Sequence, residues 1–170
     1  MNKPKQLLAI DPGPLYSGIA LMDTQTMKPI LVGKVENRKM LMNLELPQEK
    51  HELIVVIEMV SHYGTGMPAG ESVFDTCVWI GRYLEYFYTR GISTDTIKRG
   101  DVKKNLCSNP TARDSNIIQA LVDRFAKGIP NHGKGSKKQP GWFYGFAADA
   151  WQAYAVGVSY LDKEAPSEQV

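Results

Sequence analysis

Residues 9–23 read AIDPGPLYSGIALMD. The apolar run Leu7-Leu8-Ala9-Ile10 ends in Asp11, Pro12-Gly13-Pro14 follows, and a second apolar run, Gly18-Ile19-Ala20-Leu21-Met22, begins soon after. The pattern is strand, turn, strand, with a carboxylate at the last position of the first strand. Asp often starts a turn because its side chain accepts a hydrogen bond from backbone two residues on. A carboxylate fixed at the end of a rigid strand also suits a metal ligand or a phosphate site. That second use requires further carboxylates elsewhere in the chain.

Working outward, 6–11 and 18–24 pair as two strands, and ILVGKVE at 30–36 makes a third. Short turns favour an antiparallel arrangement of the three. A short helix is expected within 37–50, broken near Pro47. LIVVIE at 53–58 has no polar alternation, as in a strand buried on both faces. It too ends in a carboxylate, Glu58. If it lies parallel to the first strand, Asp11 and Glu58 emerge at one carboxyl edge, where open α/β sheets place their sites.

A long helix is expected over 72–90, with Val73, Cys77, Ile80, Leu84 and Phe87 inward and Gly91 ending it. A strand at 92–97, helices at 99–107, 113–126 and 146–161, and a loop at 127–145 complete the reading. Together these predict an α/β fold, a mixed sheet with helices on both faces. One domain over 1–162 is expected, with a frayed tail at 163–170.

Composition narrows the function classes. Hydrophobic residues make up 43% and charged residues 22%, as in ordinary globular chains. A net charge of +2 does not by itself announce a nucleic-acid partner, so the placement of the charges must decide. Cys77 and Cys107 have no CxxC partner and are expected as small buried hydrophobes. His51, His62 and His132 show no HxH or HExxH spacing. The opening MNKPKQLLAID has no apolar leader pattern and no run is of membrane-spanning length, so a cytoplasmic location and no membrane partner are expected. GTGMPAGES is a near miss for a phosphate-binding Walker loop, but Glu71 stands where Lys is needed.

Asp149, in FAADAWQAYAVGV, lies in a helix that is apolar on most sides. A charge there is costly unless it is paired or bound to metal. Asp11, Glu58 and Asp149 together offer hard oxygen ligands for divalent cations. Two Mg²⁺ ions about 4 Å apart activate water and stabilise the leaving oxygen of a phosphodiester.

IDPGPLYSGIAL, VVIEMV and FAADAWQAYAVGV resemble, in order, the three acidic motifs of RuvC-type Holliday-junction resolvases. VFDTCVWIGRYLEYF, DVKKNLCSNPTARDSNIIQALVDRF and GKGSKKQPGWFYG look closest to the phage-type branch. The match spans most of the chain. The resemblance implies an RNase H-like fold and an endodeoxyribonuclease that hydrolyses branched DNA as a homodimer, in the host cytoplasm if phage-encoded. It implies Mg²⁺, as two ions with Mn²⁺ as a substitute, and it carries Asp11, Glu58 and Asp149 over as catalytic metal ligands. The chain departs from the family at Phe146, where bacterial members carry a further acid or His. Asp114 and His132 are weaker substitutes, and Asp114 reads equally well as a helix cap.

Basic residues gather at Lys98, Arg99, Lys103, Lys104 and Arg113, and again at Lys134, Lys137 and Lys138. Lys103, Lys104, Arg113 and the three loop lysines are the expected phosphate contacts. Tyr63, close after Glu58, is the candidate for stacking on an unpaired base. Trp79 and Tyr83 are read as core or dimer contacts. The rivals are a non-catalytic junction binder, an RNase H-like nuclease acting on RNA or flaps, and an actin-like nucleotide module. The last needs two large subdomains, for which 170 residues are too few.

Overall fold

The computed structural model describes residues 4–60 and 70–165. The chain runs β1 (Gln6–Asp11), β2 (Tyr16–Asp23), β3 (Pro29–Glu36), α1 (Asn37–Asn43), β4 (Leu53–Met59), α2 (Glu71–Tyr88), β5 (Ser93–Lys98), α3 (Arg99–Cys107), α4 (Asp114–Phe125) and α5 (Asp149–Glu164). The strands form one sheet in the order β3-β2-β1-β4-β5. β1, β2 and β3 form the expected antiparallel meander, and β4 lies parallel to both β1 and β5. Leu7, Ala9 and Ile10 of β1, and Val55, Val56 and Ile57 of β4, are fully buried. Helices therefore cover both faces of the two central strands, which explains their unbroken apolar runs.

Each face has its own core. On one side α3, α4 and α5 enclose Leu7, Ala9, Val56, Ile117, Leu121 and an aromatic group of Phe143, Phe146, Trp151 and Tyr154. On the other, α1 and α2 cover Leu8, Ile10, Val55, Ile57, Ile80 and Phe87. α5 packs so closely that a Cβ on Gly157 would stand 2.6 Å from Met22 Cε. Among the described residues no helix is long and apolar enough to cross a membrane.

Two local expectations need correction. The inward stripe of α2 is Thr76, Trp79, Ile80, Tyr83 and Phe87, and Cys77 is exposed. The helix is rotated so that Trp79, Tyr83 and Phe87, which remove a large area from water, face the sheet. Trp79 and Tyr83 are therefore core residues and not surface contacts for a second copy. The last helix starts at Asp149 and not at 146, because Gly145 and Ala148 take positive φ, 81° and 31°, and break the helical path. The segment 127–145 is loop, as expected, and is tightly built. Ser136 and Gln139 exchange backbone hydrogen bonds of 2.9 and 3.2 Å around a Lys137-Lys138 turn.

A buried polar group secures the turn after Asp11. Asn37 Nδ2 donates to the Gly13 carbonyl at 2.9 Å, and Ser17 Oγ donates to Asn37 Oδ1 at 2.8 Å. With that proton committed, the Tyr83 hydroxyl donates to Ser17 Oγ at 3.0 Å. Burial raises the Tyr83 pKa, which keeps this proton in place. The Asp11 turn is thus tied to both α1 and α2.

Candidate active site

Asp11 ends β1, and the strand register places its neighbours. Ile10 lies beside Ile57 in parallel β4, so the next residue along, Glu58, comes beside Asp11. On the other side Asp11 pairs with Gly18 of β2, and Gly18 pairs with Lys34 of β3. One row across the sheet therefore reads Lys34, Gly18, Asp11, Glu58.

The missing side chain in that row admits α5. A Cβ on Gly18 would stand 2.8 Å from the Asp149 carbonyl carbon and 3.0 Å from Asp149 Cβ. Glycine at 18 therefore lets the first turn of α5 settle on the sheet. Asp149 opens that helix, where the aligned peptide dipoles favour a carboxylate. The structure thus brings Asp11, Glu58 and Asp149 together from three elements.

Their electrostatics show crowding of like charge. Burial pushes the Asp11 pKa up to about 7, and the charges of Glu58, Asp149 and Asp114 push the same way while Arg99 opposes them. Burial also raises Glu58, again against Arg99. Arg99 Nη1 donates to Glu58 Oε1 at 3.1 Å and Oε2 at 3.2 Å. Its Nη2 donates to Asp114 Oδ1 at 2.6 Å and to Gln152 Oε1 at 3.4 Å. Lys34 Nζ pairs with Asp149 at 2.7 Å, and this pairing raises the lysine pKa. Among the described residues no three His, Cys, Asp or Glu side chains stand close enough together to hold a metal ion as placed.

The remaining candidates fall into three groups. Lys104, Arg113, Lys137 and Lys138 are exposed, and Lys103 and Lys134 are partly buried. Lys103 lies near enough to Glu58 to oppose the rise in its pKa. The lysine hairpin stands on a firm base. Trp142 stacks on Phe125 with centroids 5.0 Å apart, and His132 lies edge-on to Trp151 of the first α5 turn. Tyr63 lies outside the described residues.

Phe146 is 2% exposed and packs on Phe143, Trp151 and Tyr154 with centroids at 5.0, 4.8 and 5.2 Å. It is a core residue and replaces no metal ligand. Asp114 is not the cap of α4. The preceding Arg113 backbone N–H is satisfied by Asn116 Oδ1 at 2.9 Å, which leaves the Asp114 carboxylate to Arg99.

Thermus thermophilus RuvC is similar in structure, with a TM-score of 0.62 at 13% identity over 94% of this chain and 95% of that one. The chain has the RuvC fold, an RNase H-like α/β architecture. T. thermophilus RuvC in complex with a Holliday junction substrate gives a TM-score of 0.60 at 16% identity, covering 91% of this chain and 92% of that one. No family model matches the sequence, and no curated protein matches it.

Within the RuvC fold, the residues that sequence reading missed are Lys34, Gln152 and the inward role of Arg99. Lys34 was legible once the meander was registered, since residues paired across strands share a face. Arg99 carried no such signal. In sequence it is one more cation in a basic cluster.

Proposed function

We propose that this chain is a metal-dependent, structure-selective endonuclease that resolves four-way DNA junctions by phosphodiester hydrolysis. The observation that supports it is the convergence of Asp11, Glu58 and Asp149 on one edge of a RuvC-fold sheet. A protein of that fold has been solved with a Holliday junction substrate, and this chain spans nearly its whole length.

The donor set fits Mg²⁺ by its chemistry, with Mn²⁺ as a substitute, and Glu58 and Asp149 would have to leave Arg99 and Lys34 to serve it. It consists of carboxylate oxygens on rigid backbone, with a surplus of partly buried negative charge. Asp11, Glu58 and Asp149 would hold the metal, as two ions in the full site. When bound, such ions activate water and stabilise the leaving oxygen.

The chain's own residues do the rest. Asn37 and Gly18 fix where Asp11 and Asp149 stand. Lys103, Lys104, Arg113 and the hairpin lysines draw the polyanion toward acids that would otherwise repel it. A junction has two strands to cut symmetrically, and a two-fold dimer supplies two sites. Phe74 and Val78, 62% and 59% exposed on the outer face of α2, are the candidate contact between copies.

The test is cleavage of a synthetic four-way junction with and without Mg²⁺, beside flap and RNA–DNA substrates, with light scattering for the oligomer. Paired symmetric nicks that need Mg²⁺, made by a dimer, are expected. Tight junction binding with no cleavage in Mg²⁺ or Mn²⁺ would replace the enzyme with a junction-binding protein. Preferential cutting of flaps or RNA would move the substrate class.

A further inference from the structure

Arg99 opens α3 and reaches into the acid group, where its four acceptors come from three different elements. Both Glu58 oxygens are on β4, Asp114 is on α4 and Gln152 is on α5. The Arg99 side chain is 24% exposed and Glu58 12%, while Asp114, on the solvent side, is 60% exposed. One guanidinium nitrogen thus serves the buried acid and the other serves the outer acid.

Glu58 as placed has both oxygens on this cation, so it offers a metal ion a carboxylate already in use. Asp149 is likewise held by Lys34. A divalent ion competing for Glu58 removes the reason for Nη1 to point inward. Asp114 still retains Nη2. A guanidinium held by one edge, with its other edge free beside a phosphodiester site, matches the paired oxygens of a phosphate group.

We propose that Arg99 has two stations. It holds Glu58 in the free protein, and when a divalent ion takes that carboxylate it pivots on Asp114 to contact the scissile phosphate. The inference rests on the nuclease reading above. It adds a cation of the chain itself as a competitor for the metal site and then as a partner of the substrate.

The test is calorimetric Mn²⁺ binding to the full-length, DNA-free protein, in wild type, Arg99→Gln and Arg99→Lys, beside single-turnover junction cleavage. Melting curves check the fold of each variant. Removing the competing charge should tighten Mn²⁺ binding about tenfold in Arg99→Gln. Cleavage should nevertheless slow about tenfold or more, because the guanidinium no longer meets the phosphate. Arg99→Lys keeps the charge but cannot span Glu58 and Asp114 together. It should bind Mn²⁺ a few-fold tighter than wild type and recover part of the rate, and it carries the test alone if Arg99→Gln does not fold.

Unchanged or weaker Mn²⁺ binding in a folded variant, with a wild type that cleaves, overturns the Arg99 proposal and leaves the nuclease reading standing. Tighter Mn²⁺ with an unchanged rate overturns the phosphate station. Neither wild type nor variant binding Mn²⁺, with no cleavage, overturns both.

Discussion

Two arginines tie α3, α4 and α5 together, one at each end of α5. At the far end Arg124 of α4 donates to both oxygens of Asp162 on α5, at 2.7 and 2.8 Å, and Asn105 of α3 adds a bond of 2.8 Å to the same carboxylate. At the near end Arg99 joins α3 to Asp114 of α4 and Gln152 of α5, but also to Glu58 of the sheet. Burial pushes Asp162 up, yet the bonds from Arg124 and Asn105 outweigh it and hold the pKa below the usual carboxylate value. Around Arg99 the balance runs the other way. Asp11 and Glu58 are both raised, first by burial, which Arg99 opposes without offsetting, and then by the neighbouring acids. The far end is a closed structural clamp. The near end carries an unmet demand for positive charge, as a site built for a cation and a polyanion does.

Asp11→Asn strikes this contrast hardest. Junction cleavage should fall by at least about 10³-fold, the scale of losing a group that stabilises transition-state charge. Gel-shift affinity for the same junction should stay close to wild type, because the proposed phosphate contacts come from lysines and arginines. The metal-free variant should also melt higher, by a few degrees for about 1 kcal/mol, since a partly buried carboxylate crowded by like charge has been neutralised. Full cleavage by the variant would remove Asp11 from the site. A lower melting temperature would show that the near end is a closed clamp like the far one.

Asp162→Asn tests the other side with a smaller effect. It should cost about 1–2 kcal/mol of stability near neutral pH, discounted for the partly exposed Arg124, and leave cleavage unaltered. The sign of the pH dependence is fixed. A carboxylate held below its unfolded pKa contributes stability that is fully present above about pH 4 and is lost as pH falls through the folded value. Wild type should therefore lose stability in that acid window more steeply than Asp162→Asn, which chemical denaturation at a series of pH values would measure. Parallel acid limbs would mean that Arg124 and Asp162 contribute nothing to the fold.

The far clamp was not legible in sequence, and most of the near site was. Asp11 and Glu58 could be read because apolar strands ending in an acid have one carboxyl edge to share. Asp149 was exposed by the apolar helix around it. Arg99 and Arg124 could not be read, since a cation on a helix looks the same in sequence whether it faces solvent or a carboxylate 41 residues away. The stripe of α2 was misread because two helical stripes share Ile80 and Phe87, and only packing against Ser17 and the sheet chooses between them. Phe146 was set against an acid in the family pattern. Its place among Phe143, Trp151 and Tyr154 depends on α5 starting at Asp149, later than its apolar pattern suggests.

The smallest expected effect lies in the reach of the near end into solvent. α5 has 16 residues, so its two ends stand about 24 Å apart. The lysine hairpin rests through His132 on Trp151 at the Asp149 end, whereas Lys163 is exposed at the Asp162 end. If DNA lies over the near end, Lys134, Lys137 and Lys138 face phosphate and Lys163 does not. Replacing the three hairpin lysines with Ala should flatten the slope of log affinity against log salt by about 0.9 for each phosphate left without its lysine. The change should be similar for junctions of different sequence, because phosphate contacts carry no base information. Lys163→Ala, a control of like chemistry, should leave the slope as it was. The measurement is a salt titration of junction binding in Ca²⁺, which blocks cleavage. Equal slopes in wild type and the triple variant would make the hairpin a solvated connector and move the DNA path onto Lys103, Lys104 and Arg113. A flattened slope in Lys163→Ala would show that the DNA runs the length of α5, and the two arginine clamps would then both lie beneath it.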